Sequence, residues 1–102
     1  MIEEFLAITF KLIICHLIGD YVLQTDFIAK TKGENLYHLI VHCVLYIVPF
    51  IFVGVDTYLL GFIFATHFDI DWLKARMHLI DYKVDQVSHY VALLFVAIFM
   101  MV

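Results

Sequence analysis

Four stretches of this chain, about 4–24, 36–55, 57–79 and 83–102, are apolar over roughly the 20 residues a helix needs to cross the hydrocarbon of a bilayer. Each is interrupted by ionisable side chains four residues apart: His16 and Asp20, His38 and His42, His67 and Asp71, Asp85 and His89. Residues so spaced lie on one face of an α-helix. The pattern predicts an all-α fold: a four-helix transmembrane bundle running up-down-up-down, with a polar stripe from every helix turned inward.

Composition agrees with lipid surroundings. Of 102 residues, 65% are hydrophobic and 16% charged, against about half and a quarter in soluble domains. A soluble chain this short would struggle to bury so much apolar surface. One Pro and four Gly leave little room for linkers, so residues 1–102 are expected to form a single integral membrane domain. The net charge of −4 and the lack of a basic face exclude a nucleic-acid partner. Cys15 and Cys43 sit in apolar runs and read as small core hydrophobes. The first run has no small-residue cleavage site, so it is expected to remain attached as a helix.

The connections carry turn and capping chemistry. Thr25 and Asp26 predict a short interfacial helix after helix 1, ending at Gly33; Asp56 and Thr57 are expected to cap the third helix, and Pro49 to kink the second. Lys30, Lys32, Lys74, Arg76 and Lys83 fall on the side shared by the first and third connections, and only Lys11 falls elsewhere. An excess of cations marks the cytoplasmic side. Both termini are therefore expected outside, with 25–35 and 80–83 in the cytoplasm.

In such a bundle the four polar pairs should meet at one level, in the cytoplasmic half. An ionisable side chain at a helix centre costs roughly 2.5 to 3.5 kcal/mol, so six or seven sum to on the order of 15 to 20 before any discount for nearness to the interface. Even half of that compares with the stability of a whole domain, roughly 5 to 15 kcal/mol. These groups need partners. Histidine–carboxylate hydrogen bonds and a Lys74–Asp71 ion pair could serve as bundle glue without any chemistry, and His38 and His78, near helix ends, read as interfacial side chains.

Repetition in every helix points instead to a divalent metal such as zinc, iron or manganese. His16, His42, His67 and His89 with Asp20, Asp71 and Asp85 offer ligands for one or two ions, in the manner of carboxylate-bridged two-metal bundles. Gln24 and Gln86 are expected to orient those ligands from behind. No H-E-x-x-H signature is present.

The segment His16-Leu17-Ile18-Gly19-Asp20-Tyr21-Val22-Leu23-Gln24-Thr25-Asp26 with Lys30, then His42, then His67-x-x-x-Asp71-x-x-Lys74, then Asp85-Gln86-x-x-His89, resembles the bacterial and phage membrane family named domain of unknown function 3307. The resemblance covers nearly the whole chain. It implies an integral membrane bundle, in the bacterial cytoplasmic membrane, whose polar positions act together, and it implies no reaction. In general plan the chain is also similar to small membrane-bound proteins described as metal-dependent hydrolases.

The leading expectation is a metal-dependent hydrolase acting on a lipid or lipid-linked substrate at the cytoplasmic leaflet. Asp20, Asp71 and Asp85 would serve as ligands or bases, and Lys74 would neutralise a substrate anion. The alternatives are a proton or metal-ion transporter, bis-histidine haem ligation, which three nearby aspartates disfavour, and a small structural or regulatory membrane subunit. Homo-oligomer formation is left open.

Overall fold

The computed structural model describes residues 1–101, the side chain of Arg76 excepted. Among them all regular structure is helical: α1 (Ile2–Leu17, prolonged by a π-helical turn, Ile18–Val22), α2 (Asp26–Thr31), α3 (Leu36–Phe52), α4 (Thr57–Asp71, prolonged by a second π-helical turn, Trp72–Arg76) and α5 (Tyr82–Met101). Val102, the expected end of the last run, lies outside the described residues.

Local chemistry explains the boundaries. Thr25 Oγ1 accepts from the Ile28 amide at 3.1 Å and starts α2, Asn35 Oδ1 accepts from His38 N at 3.2 Å and starts α3, and Asp81 Oδ1 accepts from Val84 N at 2.9 Å and starts α5. Asp56 occupies the cap position of α4 but its side chain makes no capping hydrogen bond, a correction to the sequence expectation. Helix α3 runs through Pro49 and stops at Phe52, short of the expected 55. Gly54, at φ 84°, closes it: Val55 N donates to Phe50 O and Gly54 N to Ile51 O, both at 3.1 Å. This paired closure favours a glycine in the left-handed region. The first and third helical runs also end early, at Val22 and Arg76 instead of 24 and 79, each after its wide turn.

Helix α1 packs against α5 and α3, α4 packs against α3 and α5, and α2 lies on α3. The apolar core joins Leu12 and Cys15 of α1, Tyr46 and Phe50 of α3, Leu59 and Ile63 of α4, and Leu93, Val96 and Ala97 of α5. Two glycines permit close approach. A Cβ on Gly19 would stand 2.8 Å from the Tyr46 carbonyl, so this residue lets the wide turn of α1 lie on α3; Gly33 similarly lets the loop after α2 rest on the Ala75 carbonyl.

The outward faces are apolar as well, with Phe10, Val44, Ile51, Phe62, Phe95 and Ile98 among the exposed side chains. Two helical stretches, Ile2–Val22 and Tyr82–Met101, are long and apolar enough to cross a membrane, and Leu36–Phe52 is a shorter apolar helix.

Candidate metal centre

Six ionisable side chains from four helices converge beside the apolar core: Asp20 from the wide turn of α1, His42 from α3, His67 and Asp71 from α4, and Asp85 and His89 from α5. All are buried, five of them to 2% exposure or less and Asp20 to 7%. In α4 and α5 the four-residue spacing does what a regular helix dictates, placing His67 Nε2 3.5 Å from Asp71 Oδ2 and His89 Nε2 3.3 Å from Asp85 Oδ1.

The donors form two groups. In the first, the side-chain ligand atoms of Asp20, His42, His67 and Asp71 all lie within 4.8 Å of one another. His42 Nε2 is 2.9 Å from Asp71 Oδ2, 3.4 Å from Asp20 Oδ1 and 2.8 Å from His67 Nε2. His67 Nε2 is 3.5 Å from Asp71 Oδ2 and 3.8 Å from Asp20 Oδ1. Ligands about 2.0 to 2.2 Å from a tetrahedral ion stand about 3.3 to 3.6 Å apart, a separation these five distances bracket. The second group is Asp20, Asp85 and His89, again within 4.8 Å. Asp71 reaches it too, with Oδ1 3.6 Å from His89 Nε2. Asp20 thus belongs to both groups, and Asp71 turns one oxygen toward each.

Further side chains hold these donors. Gln86 donates from Nε2 to Asp20 Oδ2 at 3.2 Å and to Asp85 Oδ2 at 3.0 Å, while its Oε1 lies 3.0 Å from His16 Nε2. The amide accepts there, so His16 carries its proton on Nε2 and its Nδ1 accepts from the Tyr46 hydroxyl at 2.7 Å. Tyr46 in turn stacks on His67, with ring centroids 3.7 Å apart. Four buried atoms of the cluster, His42 Nδ1, His67 Nδ1, Asp85 Oδ1 and His89 Nε2, have no hydrogen-bond partner within the protein, although buried polar groups are ordinarily paired.

Residues 8–102 match the model of a family described as Protein of unknown function (DUF3307). The chain belongs to that family. No curated protein and no solved structure matches it.

Not every polar residue singled out in this DUF3307 chain joins the ligand groups. His16 stands outside both ligand groups, its two ring nitrogens engaged by Gln86 and Tyr46. His16 and Asp20 both face inward and both reach Gln86, His16 through Nε2 and Asp20 through Oδ2, but only Asp20 belongs to a ligand group. His38 faces away, with Nδ1 2.6 Å from Thr31 Oγ1. Gln24 lies behind Asp20 and donates to its backbone oxygen at 3.4 Å. Lys74 does not pair with Asp71; its Nζ is 3.5 Å from Asp85 Oδ2 and 5.0 Å from the centre of the Tyr82 ring.

Asp71 is held instead by a residue that sequence reasoning placed in a solvated loop. Lys32 is buried, with Nζ 3.0 Å from Asp71 Oδ2 and 2.8 Å from Gln24 Oε1. Tyr46 was likewise missed as a partner of the histidines. Its one sequence signal is a four-residue step from His42 along the same helix.

A cavity of about 400 Å³ adjoins the cluster through Gln24, Lys32 and Lys74, and Lys30, Glu34 and His78 complete its charged and polar lining. An apolar groove of about 510 Å³ runs between α1 and α3, from Phe10 to Leu23 on one side and from Val48 to Val53 on the other.

Proposed function

We propose that this chain is an integral membrane protein whose His/Asp cluster holds one or two divalent cations, zinc, iron or manganese, and hydrolyses a lipid or lipid-linked substrate near the cytoplasmic leaflet. The observation that carries the reading is the sharing of Asp20 and Asp71 between two groups of buried donors at ligand spacing.

The surfaces of the helices support the membrane part. The most apolar windows of Ile2–Val22 and Tyr82–Met101 are only 28% buried within the fold, whereas a core helix of a soluble protein is mostly covered. The longest dimension, 43 Å, fits a bilayer of roughly 40 to 45 Å with its headgroup regions. Short links between α3 and α4 and between α4 and α5 favour an up-down-up-down course through it. Lys30, Lys32 and Lys74 share one cavity, and this cation excess favours a cytoplasmic position for that end, with both termini outside.

Charge supports the metal. With neutral imidazoles, Asp20, Asp71 and Asp85 outnumber Lys32 and Lys74 by one formal charge. Burying such an excess is costly unless a cation offsets it, and a single divalent ion already does so. Asp20, His42, His67 and Asp71 would hold one ion; Asp85 and His89, with Asp20 and Asp71 bridging, would hold a second. A bound divalent ion supplies Lewis-acid polarisation of the scissile group and lowers the pKa of water.

The chain's own residues supply the rest. With one ion held by Asp20, His42, His67 and Asp71, Asp85 would be free to accept the proton that the attacking water gives up as its oxygen bonds to the substrate. Asp85 then returns that proton to the departing oxygen. Lys74 sits where it can neutralise charge on the substrate, and Gln86 keeps Asp20 and Asp85 oriented. Packing beyond the cluster through Leu12, Phe50, Leu59 and Leu93 favours hydrolysis over a transport path that would continue toward the far side.

Metal analysis of the detergent-purified protein tests the proposal. One or two equivalents of a transition metal are expected, and Asp71→Ala should lose them. A stable, folded protein that holds no metal after supplementation defeats it.

A further inference from the structure

We infer that the cavity bounded by Lys30, Lys32, Lys74 and His78 is a binding site for a phosphoryl group, either the headgroup of an anionic phospholipid or a free phosphate. The inference rests on the metal-site reading where it names the hydrolysed group as a phosphoester; as a binding site it stands on the cavity alone.

Three lysines and one histidine line a space of about 400 Å³, against a single carboxylate, Glu34. A concave wall of one sign focuses potential and concentrates counter-ions. Lys32 is the deepest of the cations. Its Nζ donates to Gln24 and Asp71, and an ammonium group has three N–H donors, so one remains for a ligand. Lys74 makes a long contact with Asp85, at 3.5 Å, and lies 5.0 Å from the centre of the Tyr82 ring, so its N–H donors are not all committed. Lys30 is exposed and has no competing ion pair among the described residues. At the cavity wall His78 is held at φ 55°, an unusual conformation for a residue other than glycine, and Leu79 N bonds back to Leu73 O at 2.8 Å to fix it.

The connection to the cluster sets a direction. Lys32 touches Asp71 and Lys74 touches Asp85, so the same two cations face the cavity and the donor groups. A metal ion drawing on those carboxylates leaves the lysine charge less compensated, and an anion in the cavity then gains attraction. Binding free energies couple reciprocally, so phosphate should also strengthen metal retention.

The test uses the full chain, stripped with a chelator and held in detergent micelles. Inorganic phosphate, dihexanoyl phosphatidic acid and dihexanoyl phosphatidylcholine are titrated separately by calorimetry. Saturable binding of phosphatidic acid is expected, weakened at least 10-fold in Lys30→Gln/Lys74→Gln. Glu34→Gln should tighten it several-fold, a gain that a misfolded variant could not produce. Binding of both phosphate and phosphatidic acid assigns recognition to the phosphoryl group; phosphatidic acid alone assigns the lipid as source, and phosphate alone the free ion. No preference of any probe over phosphatidylcholine, or binding indifferent to both sets of variants, overturns the inference. Because the protein is metal-free, a failed metal analysis leaves this result untouched, and the reverse holds as well.

Discussion

Toward one end of the molecule α3, α4 and α5 meet through Phe50, Leu59, Ile63, Leu93, Val96 and Ala97, whereas toward the other the same helices meet through His42, His67, Asp71, Asp85 and His89. The two ends are equally buried, but they are held by opposite means. Apolar packing is tolerant of small shifts and costs little to bury. A buried array of charges is costly unless every member has its partner. The apolar end joins the helices by close packing, and the polar end joins them by hydrogen bonds and ion pairs whose composition the proposed ligand would explain.

The sharpest way to break that comparison is at Asp71. Asp71→Ala leaves Lys32 buried without its ion pair and should destabilise the fold by about 3 to 5 kcal/mol, read from unfolding in mixed micelles. Combining Asp71→Leu with Lys32→Met should recover most of that loss without restoring metal binding. If the double variant stays as unstable as the single one, the polar end is needed for folding and the contrast fails.

Phe50→Ala probes the other end. In lipid the cavity share of the penalty dominates, about 2 kcal/mol at the usual cost per unit volume, and metal content should be unchanged because Phe50 is not among the ligand groups and meets Tyr46 with ring centroids 5.4 Å apart. A variant that loses metal along with stability would show the two ends to be one cooperative unit. Gln86→Leu separates orientation from ligation: removing its bonds to Asp20 and Asp85 should weaken metal affinity about 10- to 100-fold, measured by competition with a chromophoric chelator. The smallest effect is expected at the hydroxyl pair of Tyr21 and Tyr82, which links α1 to α5 at an exposed position. Tyr21→Phe should cost less than about 1 kcal/mol and leave metal binding intact.

The gathering of His67, Asp71, Asp85 and His89 was legible because a regular helix converts four-residue spacing into a common face, and α4 and α5 are regular where these residues lie. The helices themselves were legible from apolar length and the start of α2 from Thr25, whereas the close of α3 at Gly54 was not. What escaped was set by contacts distant in sequence. Lys32 reads as a solvated loop cation, and only the descent of that loop onto Ala75 through Gly33 buries it against Asp71. His16 reads as a ligand beside Asp20, and only its engagement by Gln86 and Tyr46 keeps it out of the ligand groups. Periodicity assumes a constant pitch, so it cannot report a place where the pitch changes.

The two wide turns, Ile18–Val22 and Trp72–Arg76, carry a consequence for how the chain tolerates insertion and deletion. Each accommodates one residue more than an ordinary helical turn, so each acts as a stored phase shift for whatever follows. Deleting a single residue from either would restore an ordinary α-turn and leave the residues that follow facing nearly as before, whereas the same deletion in a regular helix rotates everything beyond it by about 100°. These turns are therefore places where the helical frame can lose a residue and still keep the mouth of the cavity in register.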